Sequence, residues 1–152
     1  MDVYNRIESW MKSFGFLEPW NIDLQAMADE LELLVIRGPI RAAYIGCSDL
    51  DLRVVFIDTR KEPWRQRITL AHEISHHWLH SGCQLWMPKL SRELQEWEAK
   101  RLSFHLLAPD YMLACRLNMS VWELSEEFGM PMTWIRQRMD IYWSKHSLHG
   151  GI

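Results

Sequence analysis

Near Pro63 the hydrophobic pattern of this chain changes period, and that change decides what it can fold into. Upstream, Leu33-Leu34-Val35-Ile36 and Arg53-Val54-Val55-Phe56-Ile57-Asp58 are short runs rich in β-branched and aromatic residues. Both read as strands, and Ala42 to Gly46 reads as a third between them. Gly38-Pro39 stops the first strand, and Ser48-Asp49-Leu50-Asp51 reads as the turn into the last. Downstream every segment has helical spacing. One helix covers Arg65 to His80 and ends near Gly82. Ser91 caps the next, which runs to about Leu107 before Pro109. Asp110 caps a short helix to Leu117. Ser120 with Glu123 forms a capping-box pattern for a helix to Phe128, closed by Gly129, and a last helix begins at Pro131 and reaches about Trp143. The tail from His146 to Ile152 is expected to fray. Two helices open the chain: Tyr4 to Phe14, with apolar Ile7, Trp10, Met11 and Phe14, and a second to Leu31 capped by Asn21 or Asp23. The expected fold is α+β: a small antiparallel or mixed sheet of about three strands packed on a mainly helical domain, with a helix-turn-helix-like pair at the C-terminus.

At 152 residues the chain suits a single domain. Residues 1–118 are expected to form its core, including the N-terminal helices and the sheet, and 119–145 a helix-turn-helix-like subdomain. Apolar residues at 48% and charged residues at 24% indicate a folded protein rather than a disordered one. Nine tryptophans and nine methionines mostly serve a bulky core, leaving a few to line a groove. A net charge of -3 and no Lys/Arg run disfavour sequence-independent nucleic-acid binding. No basic stretch followed by an apolar run opens the chain, and no apolar run is long enough to span a bilayer. Cys47, Cys83 and Cys115 are odd in number and widely spaced, which suits a reducing compartment and offers no close pair for a metal. A cytoplasmic location is expected.

The chemistry-bearing stretch is Leu70-Ala71-His72-Glu73-Ile74-Ser75-His76-His77-Trp78-Leu79-His80. His72-Glu73-x-x-His76 is the two-histidine zinc pattern. Residues four apart lie on one helix face with Cβ atoms about 5–6 Å apart, so both imidazoles reach one ion. Glu73 is rotated away from that face and is placed to touch water rather than the ion. Ordinary residues on a buried helix would also satisfy this spacing. An amphipathic lead-in without Pro or Gly, Arg67-Ile68-Thr69-Leu70, favours the metal reading. A catalytic zinc usually takes three protein ligands. His80 lies two turns from His72, about 12 Å along the axis, too far for all three rings to grip one ion. The following helix offers Glu93, Glu96, Glu98 and His105. Glu98 precedes Ala99, a small residue that permits close helix packing.

These residues resemble the ImmA/IrrE family of zinc metallopeptidases. The resemblance is carried by Thr69-Leu70-Ala71-His72-Glu73-x-x-His76, His80, and Glu98-Ala99 leading to Leu106-Leu107-x-Pro109. Val54 to Asp58 upstream and Trp122-Glu123-Leu124 through Gly129 to Arg138 downstream extend it over roughly residues 20 to 140. It implies His72, His76 and Glu98 as zinc ligands and Glu73 as the catalytic carboxylate. It also implies a phage or mobile-element setting, with a helix-turn-helix repressor as the protein cut. Ser75 stands where the family often has Gly, Leu102-Ser103 where it often has Phe-Ala, and His105 where Glu is common. These departures leave the implied ligand set intact.

In the expected mechanism Glu73 takes a proton as water attacks a peptide carbonyl and passes it to the leaving amine. A second donor to the oxyanion is expected from His77, His80, His105 or Tyr111. Another class of function competes. Glu123 through Ile135 resembles a helix-turn-helix whose second helix would show Thr133, Arg136, Gln137 and Arg138 to DNA. Glu123, Glu126 and Glu127 would meet phosphates unfavourably, so direct DNA binding is not favoured. A non-cleaving antirepressor that sequesters the repressor, or a DNA-binding regulator with a structural metal, are the alternatives.

Overall fold

The computed structural model describes residues 2–47, 52–79 and 88–147. They form two compact units: residues 23–106, and residues 1–22 together with 107–152. The expected turn at Ser48–Asp51, the helix end at Gly82, His80 and most of the tail lie outside the described residues.

The unit formed by 23–106 holds the sheet. The chain's first helix, α1 (Val3–Ser13), lies in the other unit; here Asp23 caps α2 (Leu24–Glu30), and the Ala26 amide donates to the Asp23 carboxylate at 3.0 Å. Glu32 leaves α2 at a φ of 58°, a left-handed turn that a non-glycine residue rarely takes, and the chain enters β1 (Leu34–Gly38). β2 (Ala43–Cys47) and β3 (Leu52–Asp58) follow. The sheet is mixed, in the order β1-β3-β2: β1 runs parallel to β3 and β2 antiparallel to it. The central position goes to the most β-branched run, as expected for the strand paired on both edges. Its Val55 and Ile57 are buried two residues apart on one face. α3 (Pro63–Leu79) packs against β3 and α2, with Leu70, Ala71, Ile74 and Ser75 buried. α4 (Lys89–Leu107) begins two residues before Ser91, which lies inside the helix instead of capping it.

The other unit joins the two ends of the chain. α1 carries buried Ile7, Glu8 and Met11, and a short 3-10 turn follows at Pro19–Asn21. α5 (Asp110–Leu113), α6 (Val121–Phe128) and α7 (Met132–Ser147) complete it. The capping box of Ser120 and Glu123 forms as expected, and Gly129 closes α6 at a φ of 65°. Asp110 does not cap α5. Pro109 holds that position, and the Asp110 carboxylate is instead held 2.5 Å from Arg138 Nη2 and 3.0 Å from Lys145 Nζ. The division differs from the boundary expected near residue 118. Residues 1–22 group with the C-terminal helices because Glu8, Phe16 and Glu18 bond Asp110, Tyr111 and Arg116. Among the described residues no helix is long and apolar enough to cross a membrane.

Candidate metal centre

His72 and His76 stand one turn apart on α3, and the structure brings them together as their spacing demands. Their Nε2 atoms are 3.1 Å apart and the rings meet edge to face, with centroids at 4.6 Å. His76 is buried, and His72 is about a quarter exposed on its side chain, at 23%. From α4 the Glu96 carboxylate spans both rings: Oε2 lies 2.8 Å from His72 Nε2 and Oε1 lies 2.9 Å from His76 Nε2.

The acidic residue that meets the histidines is therefore Glu96, and Glu98 is not brought to them. Two residues along a helix turn a side chain by about 200°, so Glu96 and Glu98 cannot serve one point. Ala99 is fully buried, as its size suggested, but it shares its face with the residue three before it, which is Glu96. Reading Glu98 as the neighbour in sequence of a packed alanine missed the neighbour in space. The usable signal was the spacing of Glu96, Ala99 and Ser103, three and four apart, the last two of them buried. Glu93 is exposed and lies 3.9 Å from Lys89. His105 is buried nine residues beyond Glu96, about 13 Å along the axis.

The donor set fits a zinc ion. Two imidazole nitrogens and one carboxylate oxygen are a known catalytic set, and ligands at 2.0–2.1 Å around a tetrahedral ion stand about 3.3 Å apart. The separations of 2.8, 2.9 and 3.1 Å are within a small relaxation of that triangle. Three donors leave a position open for substrate or water.

Glu73 follows His72 on α3 and is half-buried. Burial, and after it the charge of Glu96, pushes its carboxyl up to about 7. A carboxylate one residue from a metal-ligating histidine is placed to act on a water held there. Of the expected oxyanion donors, His77 is half-buried, and burial followed by the charge of Arg53 lowers its pKa, so it is neutral near pH 7. Tyr111 belongs to the other unit, where its hydroxyl donates to the Phe16 carbonyl, and burial with the charge of Glu8 pushes its pKa up to about 12. Its proton is committed to that bond. His80 lies outside the described residues.

Arg138 of α7 does not face solvent as a DNA-reading residue would. It is fully buried, donating through Nε to the Ala108 carbonyl at 2.8 Å as well as to Asp110. Thr133, Arg136 and Gln137 are exposed.

Comparison with known proteins identifies the family. The sequence is similar to the phage-like element PBSX protein XkdA of Bacillus subtilis (strain 168), 25% identical over an alignment that covers 93% of this chain and 75% of that protein. The family of IrrE N-terminal-like domains matches residues 28–140, a span that includes both histidines, Glu73 and Glu96. The chain belongs to the IrrE N-terminal-like family of metallopeptidases.

Proposed function

We propose that the protein is a zinc-dependent endopeptidase that cleaves a helix-turn-helix transcriptional repressor and so relieves repression of phage or mobile-element genes. The observation that carries this reading is the convergence of His72, His76 and Glu96 on one point, with Glu73 one residue from His72. The family match supports a peptidase, and the similarity to a phage-element protein supports the setting.

His72, His76 and Glu96 hold the ion. When bound, zinc supplies Lewis acidity toward a peptide carbonyl and toward water. Glu73 takes the proton of the attacking water on a carboxylate oxygen and returns it to the leaving amine. Its position on α3, one residue after His72 and half-buried, suits it to that task. α3 is tied to the sheet through β3, so the histidines and Glu73 are presented from a packed helix rather than a loop.

The test is incubation with the repressor encoded beside the gene, read by mass spectrometry. Defined fragments are expected with zinc, and none after chelation. Glu73→Gln is expected to hold zinc and to lose at least about a hundredfold in cutting rate. If the variant cuts at the normal rate, Glu73 is not the base. If it frees the repressor from DNA as well as the parent does, binding alone relieves repression and the peptidase reading falls.

A further inference from the structure

Within the 23–106 unit, the β3–α3 turn, the β1–β2 connection and the first turns of α3 enclose a cavity of about 700 Å³. Four of its lining side chains are cationic: Arg41, Arg60, Lys61 and Arg65. Asp58 is the one acid among the lining residues, in a chain whose net charge is -3. Arg60 is held by Asp58 through bonds of 2.9 and 3.0 Å. Arg65 lies 3.0 Å from Glu62, but both side chains are more than half exposed, so that pair is weak and easily exchanged. Arg41 and Lys61 are exposed; the charge of Lys61 also acts on Asp58, but more weakly than Arg60 does. Trp64 supplies an apolar wall with the Arg65 guanidinium 4.9 Å from its ring.

The cavity is aligned with the metal centre. Arg65, Thr69, His72 and His76 follow one another at spacings of four, three and four, which places them on one face of α3. Thr69 is about 4.5 Å and Arg65 about 10 Å along the axis from His72. An extended peptide advances about 3.3 Å per residue, so a chain passing the histidines along this face enters the cavity roughly one to three residues later. A volume of this size lies within the range of organic-ligand pockets and exceeds what one small anion fills.

We propose that the cavity is a subsite for carboxylate side chains of an acidic peptide segment, a few residues from the bond presented to His72, His76 and Glu96. This rests on the peptidase reading above. Arg41 and Lys61 supply exposed positive charge, Arg65 joins by exchanging Glu62, and Trp64 covers the aliphatic part of the segment. Substrates with acidic residues on that side of the cut are then preferred, through attraction that salt weakens.

The experiment uses the full chain and two fluorescein-labelled octapeptides, a Gly-Glu repeat and its Gly-Gln counterpart, with binding read by anisotropy. At low salt the acidic peptide is expected to bind at least roughly tenfold tighter than the neutral one, and the advantage to vanish at high salt. Arg41→Glu with Lys61→Glu is expected to abolish the preference, and the milder Arg41→Gln with Lys61→Gln to reduce it. Both substituted proteins are expected to bind zinc as the parent does. Equal binding of the two peptides overturns the proposal, as does a preference untouched by both double substitutions. Displacement by inorganic phosphate beyond that of sodium chloride at equal ionic strength marks a free-anion site and also overturns it. Zinc binding and repressor cutting are measured on the same samples. Their loss with the peptide preference intact defeats the peptidase reading, while the reverse pattern defeats the subsite alone.

Discussion

The Glu96 carboxylate touches both imidazoles, and its removal is expected to be felt first in metal affinity. Replacing groups that merely orient metal ligands costs about 10–100-fold in affinity, so Glu96→Ala, which removes a donor, is expected to cost at least about a hundredfold. Glu98→Ala is expected to leave zinc affinity unchanged. Competition with a chromogenic chelator measures both, and equal losses in the two variants would return the third ligand to an open question. The pair His72 and His76 was legible in the sequence because one helix fixes their relation through local geometry alone. The third donor was not, because its choice depends on which face of α4 turns toward α3. That face is set by the burial of Ala99, Leu102, Ser103 and Leu106 taken together, and it brings Glu96 to the histidines where the resemblance implied Glu98. Arg138 shows the same limit in reverse: an arginine on an apparently exposed helix found a carboxylate at Asp110, 28 residues earlier.

At the scale of elements, the β3–α3 turn orients the helix that carries the histidines, and Asp58 and Arg60 define it. The Asp58 carboxylate accepts from the Arg60 guanidinium and from the Arg60 amide at 3.0 Å, and these bonds lower its pKa from 3.8 to about 2. A carboxyl whose folded pKa is depressed stabilises the fold above its unfolded pKa and loses that contribution as pH falls through the folded one. The melting-temperature gap between parent and Arg60→Ala is therefore expected at pH 6, and it should close between about pH 4 and pH 2. A gap that persists at pH 2 would mean that Arg60 acts through packing instead. The C-terminal pair offers a second check. Ser120→Ala removes the acceptor of the Glu123 amide and one half of the capping box, and about 1 kcal/mol of stability is expected to go with it in urea denaturation. Both helix termini were legible, since capping residues act within one turn. The strands were legible too, from β-branching and punctuation. Their order was not, because Gly38-Pro39 and the turn before β3 are compatible with a plain meander, and only tertiary pairing sets β3 between its two neighbours.

At the scale of the whole molecule, the grouping of residues is one that composition hides: the chain's first 22 residues belong with its last helices. Asp110 is the hub of that unit. Its amide donates to the Glu8 carboxylate of α1, while its own carboxylate receives Arg138 and Lys145 from α7. Arg138 is fully buried and the Asp110 side chain is 11% exposed, so neither charge is solvated by bulk water. Such a pair contributes little compared with an apolar replacement of the same shape, but breaking it from one side strands the other charge, at a cost of about 3 kcal/mol or more. Arg138→Met is thus expected to destabilise the fold strongly in denaturant titration, with Lys145 compensating only in part. The double substitution Arg138→Met with Asp110→Asn is expected to recover much of the loss, because the stranded carboxylate is gone. Should the double variant be as unstable as the sum of the two single variants, the two groups act independently and the hub assignment is wrong. Zinc content supplies the second readout. The residues that would hold the metal lie entirely within residues 23–106, so Arg138→Met is expected to bind zinc as the parent does at temperatures where both remain folded.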